Sequence, residues 1–424
     1  MKRVFFVLFV GVILPTNCFA VENSLKLPKI DRRPDPINWV RGELNSLPKY
    51  NHESNNAFQV DLRCYNLSRL DLSNSIDDLQ YATFDDRTIW PAPEHMPKEF
   101  DWKRVMEMGK NPGLGIRKLH EKGITGRGVG IAILDQPLLV DHVEYTERLR
   151  LYEEINIQSG KKSQMHGPGV ASIAVGRTLG VAPEADLYYI AKWNGDYKGR
   201  NFTWNFTYLA QGVHRILEIN EQLPKDRKIR VISMSVGWGP SQKGYKEITE
   251  AAQKAKEAGM LVICSSTDEI HGFRFHGLGR PPLANPDDFN SYKPGSWWAK
   301  MFYDGNPFHS GMNSLLIPMD SRTTASHTGT NEYVFYRHGG WSWSIPYIAG
   351  VYALAAQVEP NITPERFWAL AMKTGRTIEL ENKERKIAFG PILDSAKIIE
   401  KLKKGELSNS KAIKAELEKY NIDL

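Results

Sequence analysis

Cysteine is scarce in this chain of 424 residues, which contains only Cys18, Cys64 and Cys264. So few cysteines exclude a disulfide-rich scaffold, and Cys264 lies in an apolar run that favours a buried thiol. Cys-x-x-Cys pairs and phosphate-binding glycine loops are absent, and the histidines of the later chain show no repeated ligand spacing. The sequence therefore predicts no metal site and no required cofactor, and structural calcium stays open without evidence for it.

A large excess of charge is missing as well. The chain has 55 Lys and Arg against 49 Asp and Glu, a formal net charge of +6. This mild excess favours solubility and does not indicate a nucleic-acid partner. With 41% hydrophobic and 25% charged residues, the composition is that of a globular protein with room for one large catalytic domain and appendages. The oligomeric state stays open.

Long apolar runs are missing except at the start of the chain. Lys2 and Arg3 precede the apolar residues 4–14, and Cys18-Phe19-Ala20 supplies small residues at a cleavage position. This pattern predicts a signal peptide over residues 1–20, cut after Ala20, because the run is too short to span a bilayer. We therefore expect a secreted or periplasmic protein that has no membrane contact after cleavage.

Composition and periodicity divide the remaining chain into three parts. Residues 21–100 are an N-terminal extension or a removable propeptide, with a short leucine-patterned segment over 58–91 that is expected to pack on the main domain. Residues 101–400 form the main domain, which opens with a helical pattern over 100–120. Residues 401–424 are a Lys- and Glu-rich helical tail, expected to be a solvated amphipathic helix.

The main domain alternates buried strands with helices. Apolar runs predict strands at 129–134, 187–191, 231–236 and 261–264, and helices are predicted at about 168–178, 208–221 and 246–258. Continuous apolar strands separated by helices predict an α/β fold with a mostly parallel central sheet and helices on both faces. Residues 268–338, rich in Gly, Pro, Asn and aromatics, are expected to be long loops over a site.

Three polar residues stand where reactive groups gather in such sheets. Asp135 ends the first strand, His166 opens the next helix, and Ser342 precedes the apolar helix that contains Pro346. Serine needs a base to take its proton, histidine titrates near neutrality, and a carboxylate can fix the histidine tautomer. Each residue alone could be a simple helix or turn cap. Together, in the order Asp–His–Ser, they indicate nucleophilic catalysis.

The sequence resembles the subtilisin-like serine proteases, the subtilase family, over roughly residues 120–395. The resemblance is carried by residues 128–135 with His142, by His166-Gly167 with 180–185, by 232–237, by 259–268, and by Gly340-Trp341-Ser342 with Pro346 and Gly350. The family's proline lies four residues after the nucleophile and its glycine eight after it. This register selects Ser342 rather than Ser344, and the chain is identified as a divergent, bacterial-type member.

The resemblance implies a subtilisin-like fold and a secreted serine endopeptidase acting on protein or peptide substrates. Ser342 would attack the peptide carbonyl, His166 would act as base and then acid, and Asp135 would orient His166. The substrate backbone would pair with a strand of the enzyme, and a pocket would receive the side chain before the scissile bond. The substrate-binding residues implied are Ser235, Val236 and Gly237 for the strand and Ser265 and Ser266 for the pocket.

Several positions depart from the family pattern. Gln136-Pro137 follows Asp135, Pro168-Gly169 follows His166-Gly167, and the bulky Trp341 and Trp343 flank Ser342. Asp268 stands where the family has an asparagine that donates to the oxyanion. One hypothesis is that Asp268 is a protonated donor, which would make the activity acid-leaning. The other is that Asp268 turns away and a loop residue such as Asn285 donates instead.

Two other classes of protein were weighed against the protease. A catalytically inactive, subtilase-fold binding or regulatory protein is the alternative, favoured by these departures and opposed by the intact Asp135, His166 and Ser342. An esterase of the α/β-hydrolase type would need the order Ser–Asp–His and a Gly-x-Ser-x-Gly elbow. The order here differs, and Ser344 occupies the place of the second glycine.

Overall fold

The computed structural model describes residues 26–54, 56–199, 201–305, 313–382 and 385–422. The predicted signal peptide lies outside these residues. His309, one of the histidines of the later chain considered above as metal ligands, also lies outside them. Within the described part of the chain, no helix has the length and apolar character to cross a bilayer.

The strands are short in the N-terminal segment and longer in the main domain. They are β1 Lys29–Ile30, β2 Gly42–Glu43, β3 Val60–Asp61, β4 Tyr65–Asn66, β5 Ala82–Asp85, β6 Gly130–Asp135, β7 Leu149–Ile155, β8 Asp186–Lys192, β9 Gly195–Lys198, β10 Asn201–Trp204, β11 Ile229–Met234, β12 Leu261–Cys264, β13 Phe275–Gly279, β14 Lys293–Pro294, β15 Leu315–Pro318, β16 Arg322–Ala325, β17 Tyr333–Tyr336, β18 Arg376–Asn382 and β19 Arg385–Ile392.

The helices lie mostly in the main domain. They are α1 Ile76–Leu79, α2 Trp102–Lys110, α3 Ile116–His120, α4 His166–Val175, α5 Thr207–Gln222, α6 Tyr245–Glu257, α7 Thr267–His271, α8 Ala299–Tyr303, α9 Trp341–Val358, α10 Pro364–Thr374, α11 Ser395–Lys403 and α12 Ser410–Glu418.

A six-stranded sheet forms the centre of the main domain. Its order is β1-β7-β8-β6-β11-β12, and every pair in it is parallel. Successive side chains of one strand point to opposite faces. Accordingly, Ile131 and Ile133 of β6 pack in the core that contains α4 and α9, whereas Ala132 and Leu134 pack in the core that contains α5 and α6. The prediction of an α/β fold with a mostly parallel sheet and helices on both faces is confirmed.

Two regions differ in secondary structure from what the sequence predicts. Residues 268–338 were expected to be loops, but they contain β13 to β17 as well as α7 and α8. The single helical pattern over 100–120 is divided into α2 and α3. Between the two helices, Pro112 cannot donate a helix hydrogen bond and Gly113 has a φ of +83°.

The N-terminal segment is built into the sheets of the main domain. Strand β5 is entirely buried and pairs antiparallel with β17, with Phe84 opposite Phe335. Strand β1 adds to the edge of the central sheet beside β7. Lys29 reaches Glu153 at 2.6 Å, and Arg32 reaches Glu154 at 2.6 Å. The leucine-patterned segment thus packs on the main domain, as predicted.

The end of the chain is more integrated than a solvated tail. Helix α11 begins at Ser395, so the predicted boundary at residue 401 falls inside a helix. Ile398, Leu402, Ile413 and Leu417 are buried in the same core as α9 and α10. Most lysines and glutamates of α11 and α12 lie on the other side of these helices from the buried apolar residues. Because an amphipathic composition is the same for a free and a packed helix, the sequence predicted a solvated one.

Candidate active site

Asp135 and His166 are brought together by the carboxyl end of β6 and the first turn of α4. His166 Nδ1 lies 2.7 Å from Asp135 Oδ1, and the same oxygen accepts the Gln136 N–H at 2.7 Å. The Asp135 side chain is 7% exposed and the His166 side chain 21% exposed. The carboxylate is therefore shielded from water, while the ring can meet a molecule in the adjacent cleft.

The glycine after His166 is required by close packing. A Cβ at Gly167 would lie 2.6 Å from the Gln136 carbonyl oxygen and 2.7 Å from Tyr189 Oη. Tyr189 Oη itself donates to the Gln136 carbonyl at 2.5 Å. The start of α4 can thus approach the end of β6 closely enough for the bond between His166 and Asp135.

Ser342 is the second residue of α9, after Gly340 in extended conformation as the N-cap. Asp320 secures the approach to this turn. One of its oxygens accepts the Gly339 N–H at 2.7 Å and the other accepts the Ser296 N–H at 2.9 Å. Asp320 is buried, and the sequence reasoning missed it, because its role depends on two segments that are distant in the chain.

Pro346 determines how the turn that carries Ser342 is anchored. A proline has no N–H, so the carbonyl of Ser342, four residues earlier, has no partner within α9. Ser235 Oγ donates to this carbonyl at 3.2 Å. A serine after β11 thus holds the backbone of Ser342 in place, and the pairing follows from the proline at the sixth position of α9.

Trp343 belongs to α9, and its ring lies between α9 and α4, the helix that begins at His166. Its ring centroid is 5.5 Å from that of His166, and its ring also contacts Tyr336. A Cβ at Gly169 would approach the Trp343 ring to 2.8 Å, so Gly169 provides the space for it. The departures at 169 and 343 therefore complement each other.

The Ser342 hydroxyl makes no hydrogen bond within the described residues. Hydrogen bonds between catalytic groups are often long in the absence of substrate.

A cavity of about 310 Å³ opens beside His166. It is lined by Asp135, Gln136, His166, Lys192, Trp193, Asn194, Phe202, Trp204, Ser235 and Val236. Phe202 and Trp204 belong to the hairpin of β9 and β10 and are partly exposed. Burial lowers the pKa of Lys192 to about 8, while the nearby Asp135 carboxylate acts in the opposite direction. The sequence reasoning missed Lys192 because it ends an apolar strand that looks purely structural.

The two segments predicted to bind substrate lie side by side. Ser265 N–H donates to the Val236 carbonyl at 3.1 Å, and Ser266 Oγ accepts the Trp238 N–H at 3.1 Å. A Cβ at Gly237 would lie 3.0 Å from Ser266 Oγ, so a glycine is needed for this contact. The segments after β11 and β12 are therefore joined, with Ser266 engaged by the enzyme's own backbone.

The two candidate oxyanion donors are both exposed. Asp268 lies in the first turn of α7, the short helix that follows β12. Thr267 holds the start of this helix, because its hydroxyl accepts from the Cys264 N–H and donates to the Cys264 carbonyl. Asn285 uses its Oδ1 to accept the Asp287 N–H at 3.0 Å. The structure records no contact from either side chain to Ser342, so both assignments stay predictions.

Cys264 and His271 lie outside the site and are buried. Cys264 is fully buried, burial raises the pKa of its thiol to about 12, and it is a free thiol as predicted. Burial lowers the pKa of His271 to about 3, and its Nε2 accepts the Val262 N–H. Within the residues that the structure covers, no group of three or more His, Cys, Asp or Glu side chains could hold a metal ion.

Comparisons with known proteins point to one family. The model of the subtilase family matches residues 126–298, a range that includes Asp135, His166 and Ser235 and ends before Ser342. The chain is 28% identical to the intracellular serine protease of Paenibacillus polymyxa over 274 residues, which are 61% of this chain and 76% of that protein. It is 28% identical to the major intracellular serine protease of Bacillus subtilis over 185 residues, 40% of this chain and 53% of that protein. Among solved structures, the prenylagaramide maturation protease PagA matches with a TM-score of 0.45 and 16% identity, over 68% of this chain and 98% of that one.

The anchoring of Ser342 by Ser235 can be tested directly. We expect Ser235→Ala to lower the rate at which a fluorophosphonate phosphonylates Ser342 about 3- to 10-fold, since a net hydrogen bond of about 0.5–1.5 kcal/mol is lost. Ser233→Ala is the matched control, because Ser233 lies two residues earlier and its buried hydroxyl has no partner among the described residues. Equal phosphonylation rates for the two variants would contradict the anchoring role.

Proposed function

We propose that this chain is a serine endopeptidase of the subtilase family, which hydrolyses peptide bonds with Ser342 as nucleophile, His166 as base and Asp135 as the orienting carboxylate; the similarity to this family supports the proposal. The observation that carries this proposal is the 2.7 Å hydrogen bond from His166 Nδ1 to Asp135, formed beside the N-terminus of α9. No cofactor is required by this chemistry, and the partners it implies are protein or peptide substrates.

In the proposed mechanism, His166 Nε2 takes the Ser342 proton as Oγ attacks the substrate carbonyl. The bond from His166 Nδ1 to Asp135 fixes the tautomer that leaves Nε2 free to accept, and the carboxylate stabilises the imidazolium that forms. His166 then protonates the departing amine, leaving an acyl group on Ser342. Water, activated by the same ring, releases the acyl group.

The N-terminus of α9 supports the negative charge of the tetrahedral intermediate. The N–H groups of a first helical turn have no intrahelical acceptor, and the helix dipole favours an anion there. Ser342 is the second residue of this helix, so its backbone N–H is suited to donate to the oxyanion. Residues 235–237 are proposed to pair with the substrate backbone, and the surface beside Ser265 and Ser266 to receive the side chain before the cut.

The alternative function is a binding or regulatory protein on an inactive scaffold. It draws support from the unbonded Ser342 hydroxyl, from Trp341 and Trp343 on either side of it, and from Asp268 at the oxyanion position. The bonded pair of Asp135 and His166 opposes it, because a binding protein has no need of an oriented imidazole.

Labelling by a fluorophosphonate separates the two functions. We expect the wild-type protein to be labelled at Ser342 and to cleave an unfolded protein substrate. Ser342→Ala should lose both properties, with a fall in kcat on the order of 10⁴-fold or more. Ser344→Ala is the matched control, since Ser344 is buried and donates to the Pro318 carbonyl, away from this chemistry. Absence of labelling between pH 4 and 9 would favour the binding function.

The acid-leaning part of the proposal depends on Asp268. A neutral carboxylic acid can donate to an oxyanion, whereas an ionised one repels it. The support for this role is the sequence register, which places Asp268 where the family has the donor asparagine. In the structure Asp268 is exposed in the first turn of α7.

The pH dependence of the Asp268→Asn variant tests this role. If Asp268 donates as a neutral acid, wild-type kcat should fall as pH rises above its ionisation. An amide donates at every pH, so Asp268→Asn should raise kcat at pH 8, by up to about 10²-fold. Superimposable pH profiles of the two proteins would show that the donor is elsewhere.

Secretion and the fate of the N-terminal segment complete the proposal. The charged and apolar pattern of residues 1–20 supports export, although the two relatives described above are named intracellular. The burial of β5 against β17 supports retention of residues 21–100 as a permanent extension.

The mass of the purified protein tests both points. We expect the mature chain to begin at Val21 and to keep residues 21–100, because the loss of β5 would remove Phe84 and expose Phe335 and its neighbours in the core. Intact-mass measurement and N-terminal sequencing of protein from the medium or periplasm give the start directly. A mature protein that begins near residue 101 would identify a propeptide instead.

A further inference from the structure

Lys192 is a buried cation in the wall of the active-site cavity. It ends β8, its side chain is 2% exposed, and it lines the cavity together with His166 and Ser235. Its ammonium donates to Asn194 Oδ1, and within the residues described here it forms no ion pair. Neighbouring Ile190 and Ala191 are wholly buried, as expected for a strand of a covered parallel sheet.

Burying this ammonium destabilises the folded protein, which is expected only where the charge serves a function. Removing a cation from water without an ion-pair partner destabilises the charged form, and for this reason burial lowers the pKa of Lys192 to about 8. At neutral pH most molecules still carry the charge. An apolar side chain at this position would suit the core better, so the retained charge points to a role in the cavity.

The charged groups around Lys192 are already engaged. From β6, the Asp135 carboxylate accepts from His166 and from the Gln136 N–H. From β7, Glu154 is bound by Arg32 and by Tyr152 Oη.

Among the described residues, the hairpin and the loop after β11 likewise provide no ion-pair partner for the ammonium. Asp196 accepts from Asn205 and from Tyr208, and Lys243 lies 3.7 Å from it. The segment after β11 contributes the uncharged Ser235 and Val236 to the cavity. The positive charge of Lys192 is thus left available to a molecule in the cavity.

The position of the cavity identifies which substrate residue would enter it. Side chains of an extended peptide alternate between two sides. With the substrate paired to residues 235–237, the side chain before the cut faces Ser265 and Ser266. The preceding residue then faces the other side, where the cavity lies between His166 and the aromatic rings of Phe202 and Trp204.

We propose that this cavity is a specificity pocket in which Lys192 binds the carboxylate of an aspartate or glutamate at the second position before the scissile bond. The aromatic side chains of Trp193, Phe202 and Trp204 cover the methylene part of that residue and exclude water from the ion pair, which strengthens it. This inference rests on the proposed endopeptidase function and adds the substrate class to it.

Four peptides test the proposal. They share one sequence and carry Glu, Gln, Leu or Lys at the second position before the cut. For the wild-type enzyme at pH 6.5, we expect kcat/KM for Glu to exceed that for Gln about 10-fold, as a hydrogen bond to a charged partner would give. In Lys192→Met, which keeps the length of the side chain, this ratio should fall to about one.

The wild-type enzyme alone gives a second measurement that does not depend on the folding of the variant. Between pH 6.5 and pH 9.5 Lys192 loses its proton, while the glutamate stays ionised. The Glu-to-Gln ratio should therefore fall towards one as pH rises through about 8. The ionisation of His166 affects both peptides equally and cancels in the ratio.

The outcomes separate this proposal from the function it rests on. Labelling of Ser342 and cleavage of the Leu peptide, with a Glu-to-Gln ratio below about two at pH 6.5, would overturn the specificity pocket alone. A high ratio that persists in Lys192→Met would do the same. Absence of both labelling and cleavage would overturn the pocket together with the endopeptidase function.

Discussion

The hydrogen bond between Asp135 and His166 depends on the parallel register of three strands. Strands β8, β6 and β11 are adjacent and run in the same direction, so Lys192, Asp135 and Ser235 emerge at one edge of the sheet. The chain then needs only one close turn, made possible by Gly167, to bring α4 to Asp135. The site is therefore a consequence of how this sheet ends.

The second half of the site is held by packing and by a hydrogen bond to the Ser342 carbonyl. Trp343 fills the space between α4 and α9 that Gly169 leaves open, so the helices that carry His166 and Ser342 keep a fixed separation. Pro346 leaves the Ser342 carbonyl for Ser235. Gly169 and Trp343, which both depart from the family pattern, thus accommodate each other.

The sequence allowed the sheet and the three polar residues to be predicted, because continuous apolar strands and motif order are local signals. Strand β7 was not predicted, because it carries the charged residues Arg150, Glu153 and Glu154. The arginines that pair with the two glutamates, Arg215 and Arg32, lie far away in the chain. Lys192 and Asp320 escaped for a similar reason, since their roles depend on what surrounds them after folding. The helical conformation of residues 267–271 was not predicted, because it depends on the hydrogen bond from the Cys264 N–H to the Thr267 hydroxyl.

The turn that carries Ser342 also depends on the N-terminal segment. Strand β17 leads directly into His338-Gly339-Gly340, and its other edge is paired with β5. Just beyond β17, Arg337 Nε donates to the Gln80 carbonyl at 2.8 Å, and the rings of Tyr50 and Tyr81 stack near His338. A segment that only inhibited the enzyme would need to leave without disturbing the site. This one supports the strand and the loop that lead to Ser342, and these contacts are the physical basis of the proposal that residues 21–100 are retained.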